Sequence, residues 1–271
     1  MLVKTKIEIG EKSDVQFING FVSLGSVHLN VYCFSVDGIL IDSGSQTLLP
    51  HFTSFFENID IDQVFLTHDH EDHTGGASFL QKTYDVPVYI NEMSVEASAK
   101  KATYPLYRKI FWGKRAPFQA QPIGNTFTSR TATWNVIKTP GHTADHLAFL
   151  NKKTGQLFSG DLYVHPKTKV ILRNESIPTT IASLKKILTY DFSEMFCCHA
   201  GYIQDGRKAL TKKLDYLTTF QEKVLDLHQQ GLSEKQIQRQ MFYKKYPVTY
   251  LSFGEWDSLH MIRSILAESP R

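Results

Sequence analysis

Near the start of the chain, apolar and polar residues alternate in short runs. Residues 3–9, 15–24, 27–35 and 38–42 read as successive strands, separated by turn signals at Gly10, Gly25-Ser26 and Asp37-Gly38. The period then lengthens. Leu48, Leu49, Phe52, Phe55 and Phe56 form a helical stripe within 46–58, followed by a short buried strand at Val64–Thr67, a helix over 76–84 and a strand over 87–90. This alternation predicts a partly parallel sheet with helices packed on it. Strands resume at 125–130, 133–139 and 146–150. An Asn151-Lys-Lys-Thr-Gly155 hairpin turn then leads to an apolar strand that ends in Gly160-Asp161. A helix over 178–190 and a strand over 193–198 complete this part of the chain.

From about Asp205 the pattern becomes helical. Residues 208–229 are amphipathic, Ser233-Glu-Lys-Gln236 has the form of a capping box, and Ser252-Phe-Gly-Glu255 has the same form ahead of an apolar stretch to about Ala267. No glycine- or proline-rich linker precedes these helices. The expected organisation is therefore a core domain over 1–204 with a helical extension, 205–271, docked on it. Residues 103–118 interrupt the rhythm, interleaving basic residues with Tyr104, Tyr107, Phe111, Trp112 and Phe118. They are either a packed connection or a wall over a substrate site. In the second case Tyr107, Arg108 and Trp112 are candidate substrate contacts.

Composition narrows the class. With 271 residues, 42% hydrophobic and 21% charged, the chain has the profile of a globular protein. A net charge of +3 does not point to nucleic acid. No apolar run approaches a membrane span, and the N-terminus has no signal-peptide core, so the expected location is the cytoplasm. Three cysteines, two of them adjacent, make no disulfide framework.

The densest chemistry lies at Thr67-His68-Asp69-His70-Glu71-Asp72-His73-Thr74-Gly75-Gly76, directly after an apolar strand. Imidazole and carboxylate are ligands for divalent metals. His68 and His70, two apart, point the same way on an extended path, while Asp72 and His73 follow on the turn. One loop can thus serve one ion or two. Other strands end in similar groups. Asp42 follows Ile39-Leu-Ile41 and is either a turn residue or a carboxylate that holds a ligand histidine by its free ring nitrogen. His142 leaves a Pro140-Gly141 turn, and His146 begins a strand as either a supporting or a core histidine. Asp161 has two oxygens with which to bridge two cations. Tyr163 is a candidate hydrogen-bond donor to a substrate oxyanion, and His165 a candidate substrate contact. His199 ends the last strand.

These blocks, in this order, resemble the signature of the metallo-β-lactamase-fold hydrolases over roughly residues 15–203. The His-x-His-x-Asp-His-x-Gly-Gly, Thr-Pro-Gly-His and Ser-Gly-Asp blocks are similar to the thioesterase branch that includes glyoxalase II. The resemblance implies an α/β fold, an αβ/βα four-layer sandwich with the site along one edge. It implies that His68, His70 and His142 hold one ion, that Asp72, His73 and His199 hold another, and that Asp161 bridges them. Asp42 then supports a ligand histidine. Cys197 and Cys198 read as core residues, and the Cys198-His199 pair departs from the Gly-His of commoner family versions.

The implied activity is hydrolysis by a hydroxide shared between two divalent ions, zinc foremost with iron or manganese as alternatives. Asp72 both ligates and orients the nucleophile. The expected substrate is a small acyl compound, a thioester or a lactone. The alternative is a small endoribonuclease or phosphodiesterase of the same fold, which the basic residues at 103–118, 212–213 and 244–245 keep open. A metal-binding protein without turnover is the reading from a different class. Antibiotic hydrolysis is disfavoured because an aspartate occupies the bridging position.

Overall fold

The computed structural model describes residues 3–268. It opens with an antiparallel meander, β1 (Lys4–Lys12), β2 (Val15–Leu24), β3 (Val27–Val36) and β4 (Ile39–Ile41). Helix α1 (Leu49–Phe56) leads to β5 (Gln63–Phe65), and the short α2 (Glu71–Thr74) and α3 (Ala77–Tyr84) lead to β6 (Val88–Ile90). After α4 (Glu92–Ser98) and α5 (Leu106–Trp112), β7 (Ala120–Pro122) ends a seven-stranded sheet in which β4 to β7 run parallel. The second sheet contains β8 (Thr126–Thr128), β9 (Thr133–Lys138), β10 (Leu147–Asn151) and β11 (Leu157–Phe158). Past β12 (Ile171–Leu172) and α6 (Ile177–Ile187), β13 (Met195–Cys197) and β14 (Gly201–Ile203) complete it, with β11 and β13 parallel.

The four layers follow from the two-residue period of buried strands. In β3 and β4, Cys33 and Leu40 pack outward against α1, α3 and α5, while Phe34, Val36, Ile39 and Ile41 pack inward. In the second sheet, Phe149, Phe158 and Phe196 face inward, while Leu150, Leu157 and Met195 face a separate helical layer. The inner core is aromatic: Phe34 meets both Phe158 and Phe196 edge-on at 5.5 Å between ring centroids.

The C-terminal elements are α7 (Gly206–Gln229), α8 (Glu234–Met241), α9 (Pro247–Leu251), β15 (Trp256–Asp257) and α10 (Ser258–Ala267). Leu210, Leu217, Val224 and Met261 share one apolar cluster with Leu150 and Leu157 of the sheet and Leu184 of α6. The Ser233–Gln236 capping box forms as expected. The second expected box does not start a helix. Ser252–Glu255 is a turn after α9, and Asp257 caps α10 by accepting from Leu259 N–H. Strand β15 pairs with β12, so the tail also contributes a two-stranded sheet.

One polar group joins α7 to the loop after β11. Lys213, buried, donates from Nζ to the Tyr163 carbonyl at 2.6 Å. Burial pulls its pKa down to about 8 from the ordinary 10.5. Between about pH 8 and 10.5 the unfolded chain therefore binds more protons at this residue than the folded one, and its contribution to stability rises with pH across that window. Urea unfolding across the window should give a wild-type stability that climbs relative to Lys213→Met. A constant difference would mean that the lysine is not desolvated. Leu217→Ala should lower the unfolding free energy by about 2–5 kcal/mol. Tryptophan fluorescence, which includes Trp134 in the inner core, and far-UV circular dichroism should report one common transition. Separate transitions would show that the tail folds apart from the sheets.

Candidate metal centre

Every candidate ligand follows the C-terminal end of a strand. Strands β4 and β5 are parallel, as are β11 and β13, and β9 runs in the sense of β11 because β10 is antiparallel to both. Their ends therefore fall on one edge of the sandwich. Direct bonds join the two sheets there: Leu147 N–H donates to the Thr67 carbonyl at 2.8 Å, and Tyr32 N–H to the Cys198 carbonyl at 2.7 Å.

Glycines permit the close approach of these loops. At Gly160 the backbone has φ +50°, and a Cβ there would stand 2.5 Å from His146 Nε2. That nitrogen accepts the Asp161 N–H at 2.9 Å, so the glycine lets His146 hold Asp161 by its backbone. His146 Nδ1 lies 2.8 Å from Thr139 Oγ1, which leaves no ring nitrogen of His146 for a metal. Burial holds its pKa down at about 3, so the ring is neutral and its Nε2 remains an acceptor.

The ligand candidates converge. His68, His70 and His142 present ligand atoms within 4.8 Å of one another, as do Asp72, His73 and His199, and also His68, His73 and Asp161. The last group straddles the other two. His199 Nε2 lies 3.0 Å and His142 Nε2 3.3 Å from Asp161 Oδ2, and His73 Nε2 lies 3.5 Å from Asp161 Oδ1. Asp72 Oδ2 stands 3.6 Å from His73 Nε2 and 3.7 Å from His199 Nε2.

The outward nitrogens of four rings are occupied by oxygen. His73 Nδ1 donates to Asp42 Oδ2 at 2.7 Å, and His199 Nδ1 to the Asn30 carbonyl at 2.5 Å. His142 Nδ1 donates to Glu175 Oε2 at 3.1 Å, and His68 Nδ1 lies 3.0 Å from Thr67 Oγ1. This fixes which nitrogen of each ring faces inward. At the centre, His68 Nε2, His73 Nε2 and Asp161 Oδ1 are buried without a hydrogen-bond partner. Three buried polar atoms aimed at one another are costly unless a further group satisfies them. A divalent cation does so, and the donor set of nitrogen and carboxylate oxygen suits one.

The electrostatics agree. Burial and the neighbouring histidines hold His68 well below the ordinary imidazole range. Burial also opposes charge on His73, but the carboxylates of Asp72, Asp161 and Asp42 outweigh it and raise its pKa well above that range. Burial works against charge on Asp161 as well, yet His199 and His73 hold it well below the usual carboxylate range.

Asp42 lies behind His73 and Thr67 and accepts from both. Cys197 and Cys198 are buried, as expected of core residues. Burial and the Asp42 carboxylate push the Cys198 thiol well up, and its Sγ donates to Asp42 Oδ2 at 3.0 Å. Asn30 and Glu175 carry no local signal in the sequence. Asn30 meets His199 through its carbonyl and through its Nδ2, which donates to the His199 carbonyl at 3.0 Å, and Glu175 lies far along the chain on a connection between β12 and α6.

Above the ligands lies a cleft of about 520 Å³. Tyr107, Arg108, Trp112 and His165 all line it, with Asp72, His142 and His199 on its floor and Tyr246, Val248 and Trp256 of the tail across it. Phe111 and Trp112 also belong to the outer core, so 103–118 is both packed connection and wall. Arg108 is not free: its Nε and Nη2 donate to the two Glu71 carboxylate oxygens at 2.6 Å each. Tyr163 departs from expectation. Its ring packs on the helical-layer core and does not line the cleft. The chain reverses at Val164, φ +50°, which brings Val164 and His165 to the cleft instead.

Comparison with known proteins agrees with this geometry. The family profile described as the metallo-beta-lactamase superfamily matches residues 30–199. An atrochrysone carboxyl ACP thioesterase of Aspergillus fumigatus is 26% identical over 73% of this chain and 43% of its own length. A hydroxyacylglutathione hydrolase of Bdellovibrio bacteriovorus is 31% identical over 38% of this chain and 35% of its own. The chain thus spans less than half the length of these two relatives. Among solved structures, a beta-lactamase domain protein from Burkholderia ambifaria matches 96% of this chain and 88% of its own, with a TM-score of 0.68 at 18% identity. That match extends the likeness in fold into the helical tail. The chain belongs to the metallo-beta-lactamase superfamily.

Proposed function

We propose that this chain hydrolyses a small acyl substrate, a thioester or a lactone, at a centre of two divalent ions, zinc foremost with iron or manganese as alternatives. The observation that carries the reading is the set of three buried atoms without a hydrogen-bond partner on His68, His73 and Asp161, set between two ligand triads. His68, His70 and His142 would hold one ion; Asp72, His73 and His199 would hold the other; Asp161 would serve both. When bound, two such ions supply a water whose pKa is lowered towards neutrality and a Lewis acid for the acyl oxygen.

The chain's own residues do the rest. Asp42, Thr67, Glu175 and Asn30 hold the imidazoles in register, so the ligand set needs little reorganisation. Asp72 lines the cleft, where a carboxylate oxygen can accept a hydrogen bond from the attacking water and orient it. Tyr107, Trp112 and Trp256 give the acyl group apolar surface and limit water around it. The resemblance to an acyl carrier protein thioesterase and to a hydroxyacylglutathione hydrolase supports acyl chemistry over phosphodiester chemistry.

The endoribonuclease alternative drew on the basic segment at 103–118. Arg108 there is paired with Glu71, and Arg115 donates to the carbonyls of Ser98, Ala97 and Lys100. Both cations serve the fold, which removes much of that support. The extension 205–271 is proposed as the element that sets substrate choice, because Tyr246, Val248 and Trp256 form one wall of the cleft.

After zinc reconstitution, elemental analysis should find about two ions per chain. Asp161→Ala should lose occupancy at both positions together. Content near zero in the wild type would sink the metal assignment. A single metal-loaded preparation should be assayed on a thioester, a lactone and single-stranded RNA. Acyl turnover should appear in the wild type and fall at least about a hundredfold in His68→Ala. RNA cleavage that His68→Ala abolishes, without acyl turnover, would transfer the protein to the phosphodiesterase class.

A further inference from the structure

A second depression, of about 870 Å³, opens on the surface beside the metal cleft. Three elements form it: the β2–β3 turn, helix α5 and helix α9. Ser26, Val27, Tyr107, Pro247 and Leu251 line both the depression and the cleft, so the two adjoin along a shared wall. Away from the cleft its walls are apolar. Leu106, Tyr250 and Phe253 stand 71%, 68% and 91% exposed, an unusual outlay of large apolar side chains for a surface. Lys245 is the single charged side chain in its lining.

We propose that this groove binds the apolar chain of the acyl substrate, whose reacting carbonyl then lies in the metal cleft. The inference rests on the acyl-hydrolase reading above and narrows it to acyl groups with a long hydrocarbon portion. The shared wall gives the direction: a chain that leaves the reaction centre past Val27 and Leu251 passes directly onto the apolar surface of the groove. The lining gives the chemistry. A sugar–phosphate or peptide would have to desolvate polar groups against walls that offer almost no partners, whereas a hydrocarbon has none to desolvate. The volume also falls within the usual range for small-molecule sites.

The test uses the full metal-loaded chain and acetyl, hexanoyl and dodecanoyl thioesters of N-acetylcysteamine. The kcat/KM should rise about two- to fourfold per added methylene until the groove is filled. Leu106→Glu and Tyr250→Glu sit at exposed positions, where folding tolerates a charge, and circular dichroism checks that it does. Each should flatten the rise with chain length. Turnover of all three thioesters at equal kcat/KM would overturn the groove and leave the acyl-hydrolase reading standing.

A binding measurement separates the two ideas if no thioester is turned over. Calorimetry with S-hexyl- and S-dodecyl-N-acetylcysteamine thioethers needs no catalysis. Tighter binding of the dodecyl compound, with a negative heat-capacity change and loss in both variants, supports the groove even then. Equal or undetectable binding of the two overturns it. Sedimentation covers the remaining occupant. A dimer that both variants dissociate and that the dodecyl thioether leaves intact would show the groove covered by a second copy of the chain, and the proposal would fall.

Discussion

The site depends on one buried carboxylate. Asp42 accepts the Thr67 N–H at 2.8 Å, the Thr67 hydroxyl at 2.9 Å, the His73 Nδ1–H at 2.7 Å and the Cys198 thiol at 3.0 Å. It has no exposed surface. A carboxylate in such a place costs several kcal/mol unless it is richly bonded. Here its partners lie just past β5, on the histidine-rich loop and just past β13, so the group that needs them also ties both sheets to one point. The backbone at Asp42 takes φ +59°, an uncommon conformation for an aspartate, and that turn aims the carboxylate back over its own strand end.

From Asp42 the constraint spreads to the ligands in order. It fixes His73 directly and His68 through Thr67, whose hydroxyl donates to Asp42 and faces His68 Nδ1. The metal loop is also clamped from outside. Asp69 N–H donates to Asp145 Oδ2 at 3.0 Å, and Glu71 is locked to Arg108. A residue expected to meet substrate thus braces the loop that carries four of the ligand candidates. Two buried charges in bidentate contact contribute little net stability, but removing either leaves the other unpaired. The pair therefore favours geometry over gain in free energy.

The sequence made much of this readable because ligand types cluster at strand ends, where apolar runs stop abruptly. His68, His70, His73, His142, Asp161 and His199 each follow such a run, and the structure brings them together. The alternation in β3 and the unbroken apolar runs of β4 and β10 likewise revealed the sheets. Three kinds of feature stayed hidden. Glu175 and the Asn30 carbonyl act across long sequence separations, with no local signal. Strands β7, β12 and β15 are two or three residues long, too short for a period to register. Ser252–Glu255 carried a capping signal that local chemistry outvoted. Pro247 starts a short helix just before it, and Asp257 supplies a better-placed oxygen for α10. Tyr163 was misjudged because a single left-handed residue, Val164, turns the loop and exchanges which neighbour faces the cleft.

The tail contributes both to the core and to the rim of the cleft. Its α7 and α10 are bound into the helical-layer core, while Trp256 lines the cleft and α9 lines both the cleft and the surface groove. A core helix tolerates little change, because its packing is dense and each lost methylene is felt. The α9 segment is short, begins at a proline and lies at the rim, so substitutions there alter the groove without reaching the Asp42 network. The ligand candidates and the rim segment α9 thus sit on different elements, joined through Arg108, which pairs with Glu71 of the ligand loop and lies 3.9 Å from Glu255 of the tail. One scaffold can then keep its ligand geometry fixed while the shape beside it varies, which is the arrangement expected when reaction and specificity are set by different parts of a chain.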